Sequence, residues 1–79
     1  MMKEFVESIV KRLVDNPDEV EVTKVESENN TIYELRVAQG DLGKVIGKHG
    51  RTAQALRTLL TAVSAKAGNT RSTLDIIDR

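Results

Sequence analysis

Gly47 and Gly50 constrain this chain more than any other pair of residues. They bracket Lys48 and His49, follow an apolar patch of Leu42, Val45 and Ile46, and precede a long helical pattern. Without a Cβ, glycine takes positive φ readily and lets another molecule come close to the backbone. The helix predicted from about Arg51 leaves its first N–H groups without intrahelical partners, and its dipole makes that end positive. A tight turn with free backbone donors and two or three cationic side chains suits an anion such as phosphate. Glycines at this spacing also serve as a plain turn between two helices, so the surroundings have to decide.

The spacing rules out other glycine loops. A nucleotide-binding P-loop needs Gly-x-x-x-x-Gly-Lys and then Ser or Thr. Here three residues lie between Gly43 and Gly47, and His49 follows Lys48, so the hydroxyl that would hold magnesium is missing. The dinucleotide pattern Gly-x-Gly-x-x-Gly does not occur. His49 is the single histidine and there is no cysteine, so a metal site or an acid–base pair lacks local partners. His49 therefore reads as an ordinary surface residue or as a donor to phosphate or sugar whose charge responds to pH. The expectation is no metal, no cofactor, no catalytic residues and no small-molecule substrate.

Periodicity supplies the frame. Phe5, Val6, Ile9, Val10, Leu13 and Val14 recur at helical spacing and predict an amphipathic helix over 2–14, ended by Asn16-Pro17. Residues 20–26 alternate as a β-branched strand, with a slip at Val25 that marks either a bulge or an apolar residue on the outer face. A polar turn at 27–30 leads to a second strand over 31–38, with Tyr33, Leu35 and Val37 inward, and the pair reads as an antiparallel hairpin. Gly40-Asp41 breaks the strand, and Asp41 is placed to cap a short helix over 42–46. A long helix over 51–66 follows, its stripe predicted as Leu56, Leu59, Leu60, Val63 and Ala67 with Ala53 and Ala55 beside it. Gly68-Asn69 makes a cap and turn, and 72–77 form a last strand. The fold class is α+β, in the order α-β-β-α-α-β.

Val45-Ile46-Gly47-Lys48-His49-Gly50-Arg51 resembles the Ile-Gly-x-x-Gly signature of KH domains, and the element order resembles their type II arrangement across the whole chain. The resemblance implies three helices on one face of a three-stranded mixed sheet, with the strands flanking the helix pair running parallel. It implies binding of single-stranded RNA, the glycine loop clamping the backbone of a short run of nucleotides. Carried onto this sequence, the RNA-binding residues are Gly43, Lys44, Ile46, Gly47, Lys48, His49, Gly50, Arg51 and Arg71, the last in the family's variable loop. Arg57 and Lys66 lie either along the same path or on plain surface. The resemblance further implies a bacterial post-transcriptional regulator or RNA chaperone linked to cell shape. It would act as a homodimer or as a heterodimer with a larger Jag-type KH protein. Ala53 stands where many KH domains carry a large aliphatic, and Phe5 and Tyr33, the only aromatics, are predicted to be buried. Stacking, worth about 1–3 kcal/mol per base, is therefore largely missing.

Charge distribution agrees with an anionic partner. The chain has 79 residues, with 12 Lys and Arg against 12 Asp and Glu. The bases Arg36, Lys44, Lys48, Arg51, Arg57, Lys66 and Arg71 nonetheless face a single acid, Asp41, across residues 36–71. Residues 1–35 are correspondingly acidic. A segregated basic half is an anion-binding field. Length fits one domain, burying only about 60% of its unfolded surface. The longest apolar run is too short to span a bilayer, and no signal-peptide pattern opens the chain, so the expected setting is cytoplasmic, without membrane contact. The competing reading is a protein–protein module. Val25, Ile32 and Ile77, or Ala62 and Ala65, would then form its interface.

Overall fold

The computed structural model describes residues 2–28, 30–66 and 71–77. The first helix, α1, runs from Met2 to Leu13. Val6 and Val10, one turn apart, are buried, with Met2, Ile9 and Val14 packed at their flanks. Each fully buried valine contributes about 1.5–3 kcal/mol. On the solvent side Glu7 lies between Lys3 and Lys11, at 3.9 and 3.7 Å. Phe5 was predicted to be buried but is 38% exposed. It lies about 100° round the helix from Val6, outside the arc that meets the sheet.

Strands β1 (Glu21–Glu26) and β2 (Asn30–Arg36) pair antiparallel, and β3 (Arg71–Ile76) pairs parallel with β2, giving the order β1-β2-β3. The β1–β2 register is one-for-one from Glu21↔Arg36 to Glu26↔Thr31. No bulge interrupts it. Val25 sits opposite Ile32 on the outer face, a cross-strand apolar pair. Val22, Tyr33, Leu35 and Leu74 face the helices and are buried. The predicted second strand reached Ala38, but the ladder ends at Arg36, where β1 begins to provide a partner. Val37 and Ala38 are still buried.

A 3-10 turn over Gln39–Asp41 leads into α2, Leu42–Ile46, and then α3, Arg51–Lys66. Asp41 precedes α2 without capping it by its side chain. A capping side chain folds over the first turn from an extended backbone, and Asp41 has φ −99° and ψ −6° instead. Its carboxylate points back to the end of α1, accepting the Asp15 amide at 3.2 Å and the Asn16 amide at 2.9 Å. This ties the start of α2 to the end of α1, and the helix stops at Leu13 where those amides turn away.

The predicted stripe of α3 needs correction. The buried set is Ala53, Leu56, Leu60 and Ser64, whereas Leu59 is 46% and Val63 37% exposed and Ala55 is exposed. Leu59 and Leu60 lie about 100° apart on a helix, and only one of them can centre on the sheet. Ala67 and the Gly68-Asn69 cap lie outside the described residues. Val6, Val10, Val45, Leu56 and Leu60 close over Val22, Tyr33, Leu35 and Leu74 in one core.

Candidate nucleic-acid interface

The α2–α3 joint is built by its glycines. Gly47 ends α2, its amide donating to Gly43 O at 2.8 Å, with φ 77° and ψ 172°. A Cβ there would collide with the Thr52 hydroxyl and come within 2.8 Å of the Thr52 backbone nitrogen. Gly50, at φ 73°, faces open space, and its amide donates to Gly47 O at 3.1 Å. Between them His49 holds the left-handed conformation, φ 59° and ψ 26°, which non-glycine residues adopt seldom, histidine more readily than most. The result is a turn of two residues, Lys48 and His49, whose backbone amides donate to no described group. Both side chains and Arg51 are exposed beside these amides at the N-terminus of the 16-residue α3. Open donors, the positive helix end and the exposed side chains of Lys48, His49 and Arg51 form an arrangement that can receive an anion.

The other predicted residues fall around this loop unequally. Val45 is fully buried and Leu42 half-buried, while Ile46 is 37% exposed and offers an apolar surface beside Gly47. Gly43 is exposed with open space above it. Lys44 turns away from the loop, its Nζ 3.2 Å from Asp15 Oδ2 and 4.0 Å from Asp41 Oδ1. At such an exposed position the pair contributes about 0–1 kcal/mol, so it restrains Lys44 only weakly. Burial works against the ionised form of Asp41. The Asn16 side chain and amide, the Asp15 amide and the Lys44 charge outweigh it and hold the carboxyl below its ordinary value.

From Gln54, one turn after Gly50, a trough runs along α3. A depression of about 360 Å³ borders Gln54, Arg57, Thr58 and Thr61. It adjoins a second of about 460 Å³ between Arg57, Thr61 and Ser64 on one wall and Arg71, Ser72 and Leu74 of β3 on the other. Arg71 thus opens onto the far end of the trough, away from the glycine loop. Arg57, one of two readings in the sequence, lines both depressions and donates from Nε to Leu74 O at 3.3 Å. Thr61, Ser64 and Ser72 carried no sequence signal of their own. The row Gln54–Arg57–Thr58–Thr61, polar at helical spacing beside the apolar stripe, was the available clue. Ala53 is on the buried face of α3 and is not among the described residues lining the trough.

Three helices on one face of a mixed three-stranded sheet, with a glycine turn joining α2 to α3 and β3 parallel to β2, define a type II KH domain. The sequence matches the KhpA/KhpB KH domain over residues 3–76, and the chain belongs to that family. It is 58% identical over 78 residues to a Treponema pallidum protein named RNA-binding protein KhpA, covering 99% of this chain and 96% of that one. Proteins of the same name from Borreliella burgdorferi, 55% identical over 95% of this chain and 90% of theirs, and Chlamydia trachomatis, 52% identical over 98% and 97%, are also similar. Among solved structures, Era from Aquifex aeolicus shares the fold, with a TM-score of 0.66 and 15% identity over 98% of this chain and 31% of Era. An Era complex with 16S ribosomal RNA nucleotides matches at a TM-score of 0.64, with 15% identity over 98% of this chain and 30% of that chain. Among the described residues no helix is long and apolar enough to cross a membrane, and no His/Cys/Asp/Glu group is gathered to hold a metal ion.

Proposed function

We propose that this chain is a single KH domain that binds single-stranded RNA without catalysis. Phosphate oxygens are received by the amides of Lys48 and His49, with Gly47 and Gly50 shaping the turn. Lys48, His49 and Arg51 add charge, and Lys44 joins them when it leaves Asp15. Ile46 and the backbone at Gly43 lie under the strand, which runs along the trough toward Arg71. The observation that carries this reading is the pair of unpartnered amides between two positive-φ glycines at the N-terminus of α3. The similar proteins named RNA-binding protein KhpA support it.

Exposed Leu59 and Val63 on α3 support pairing with a second chain, either another copy or KhpB, the Jag-type member implied by the family. The cellular role that goes with this reading is cytoplasmic post-transcriptional regulation or RNA chaperoning tied to cell shape. A replacement of both Lys48 and His49 by Asp places two anions against the phosphate path while leaving the core untouched. The folded variant is expected to lose RNA binding in a filter or anisotropy assay. Wild-type affinity in that variant would remove the loop from the interface and leave the protein-interaction module as the better reading.

A further inference from the structure

The sheet edge opposite the trough is open, and its charge has the opposite sign to the glycine loop. β1 pairs only with β2, so its far side has no strand beside it. The register settles which groups that edge shows. Ser27 donates from its amide to Asn30 O at 2.9 Å, the next pair of the ladder after Glu26↔Thr31. Hydrogen-bonded pairs recur at every second position of an antiparallel ladder, which makes them Val25↔Ile32, Thr23↔Glu34 and Glu21↔Arg36. Val22, Lys24 and Glu26 therefore turn their N–H and C=O groups outward. Lys24 and Glu26 are exposed, and no described residue pairs with their backbone. Native edges are commonly blunted by proline, a bulge or lysine. β1 has neither proline nor bulge, and its one lysine, Lys24, is matched by Glu26 at 3.7 Å. Acid guards it instead: Asp18, Glu19, Glu21, Glu26 and Glu28 are exposed along or beside the strand. Like charges discourage pairing with a second copy and favour a strand of the other sign. On the outer face Val25, 42% exposed, lies opposite half-buried Ile32 and gives an apolar seat among these acids.

We propose that the β1 edge takes up an extended basic segment of another protein as a fourth strand. In strand addition the main-chain bonds supply affinity and alternate side chains supply specificity. An antiparallel segment bonds to the outward groups of Lys24 and Glu26. Its basic side chains fall opposite Glu21 and Glu26, and an apolar one falls opposite Val25. Glu21 and Val25 share the outer face and Glu26 projects from the other, because successive residues of a strand alternate. β1 lies two strand spacings, about 10 Å, from β3, so the segment and a strand of RNA in the trough occupy opposite edges. The site is independent of the RNA reading.

The test titrates the full chain into a labelled peptide, Lys-Val-Thr-Val-Thr-Lys, and follows amide exchange at Lys24 and Glu26 by NMR. The peptide is expected to bind, to slow exchange at both amides, and to bind about tenfold more tightly than Glu-Val-Thr-Val-Thr-Glu. N-methylation of both threonines, whose N–H groups meet β1 in this register, is expected to weaken binding about tenfold by removing two hydrogen bonds. Replacing Glu21 and Glu26 by Gln, both exposed, is expected to bring the basic and acidic peptides close to parity. Lys24→Pro removes an outward N–H that the β1–β2 ladder does not use, and is expected to weaken the basic peptide in the folded variant. Equal binding of the acidic or the N-methylated peptide, or no binding at all, overturns the proposal. Protection of Lys24 and Glu26 that grows with protein concentration in the absence of peptide gives the edge to a second copy and overturns it too.

Discussion

The Asp41 carboxylate receives two hydrogen bonds from Asn16, one from the backbone amide at 2.9 Å and one from the side-chain amide at 3.1 Å, across 25 residues of sequence. With the Asp15 amide as a third donor, this carboxylate joins the end of α1 to the start of α2. It therefore sets where the helix carrying the glycine loop leaves the core. Asp41 itself is 1% exposed, and a buried acceptor that loses its charge loses the charge-assisted part of all three bonds.

The pH dependence follows from the direction of its shift. The folded carboxyl titrates below the ordinary value of 3.8. Its contribution is fully present above that value and is lost as pH falls through the lower, folded-state one. Thermal unfolding of the wild type is expected to be insensitive to this group at neutral pH and to drop steeply below about pH 4. Asp41→Asn lowers the melting temperature at neutral pH by several degrees and flattens the acid limb. Parallel acid limbs in the two proteins, followed by circular dichroism, would remove Asp41 from this role.

The two loop glycines are expected to differ when changed to alanine. Gly47 has both the glycine-only backbone region and the Thr52 backbone in the way, so Gly47→Ala costs about 2–3 kcal/mol. Gly50 has positive φ but open space, so Gly50→Ala costs about 1–2 kcal/mol. Urea denaturation measures both. Equal costs would mean that the Thr52 contact relaxes freely.

Neighbouring leucines on α3 provide a test of its rotation. Leu60 is 2% exposed and Leu59 46%. Leu60→Ala is expected to cost about 2–5 kcal/mol through the cavity it leaves, and Leu59→Ala within about 0.5 kcal/mol in the monomer. A large loss from Leu59→Ala that vanishes on dilution would report an interface between chains.

Salt dependence counts the phosphates held. If Lys48, His49 and Arg51 together neutralise about three, log K falls against log salt with a slope of roughly −2 for single strands. Arg51→Gln is expected to reduce the slope magnitude by about 0.7. An unchanged slope would put Arg51 outside the phosphate path.

Much of this molecule was legible in the chain itself. The shift from helical to alternating periodicity gave the three α-helices and three strands within a residue or two, but not the 3-10 turns at Pro17–Glu19, Gln39–Asp41 and Lys48–Gly50. The glycine pair gave the joint, because positive φ is a local demand that only certain residues meet at low cost. Local equivalents were not separable in this way: periodicity put Leu59 and Leu60 together in the buried stripe and Asp41 on its own helix as a cap, both corrected by the structure, and at Val25 it left a bulge or an outward apolar residue. Each is decided by groups far away in sequence: the sheet residues that Leu60 packs against, the partner strand's register or the amides of Asp15 and Asn16. The trough opposite the loop belongs to the same class. Its walls come from α3 and β3, and only packing brings Arg57 and Ser64 to the same depression as Arg71 and Ser72.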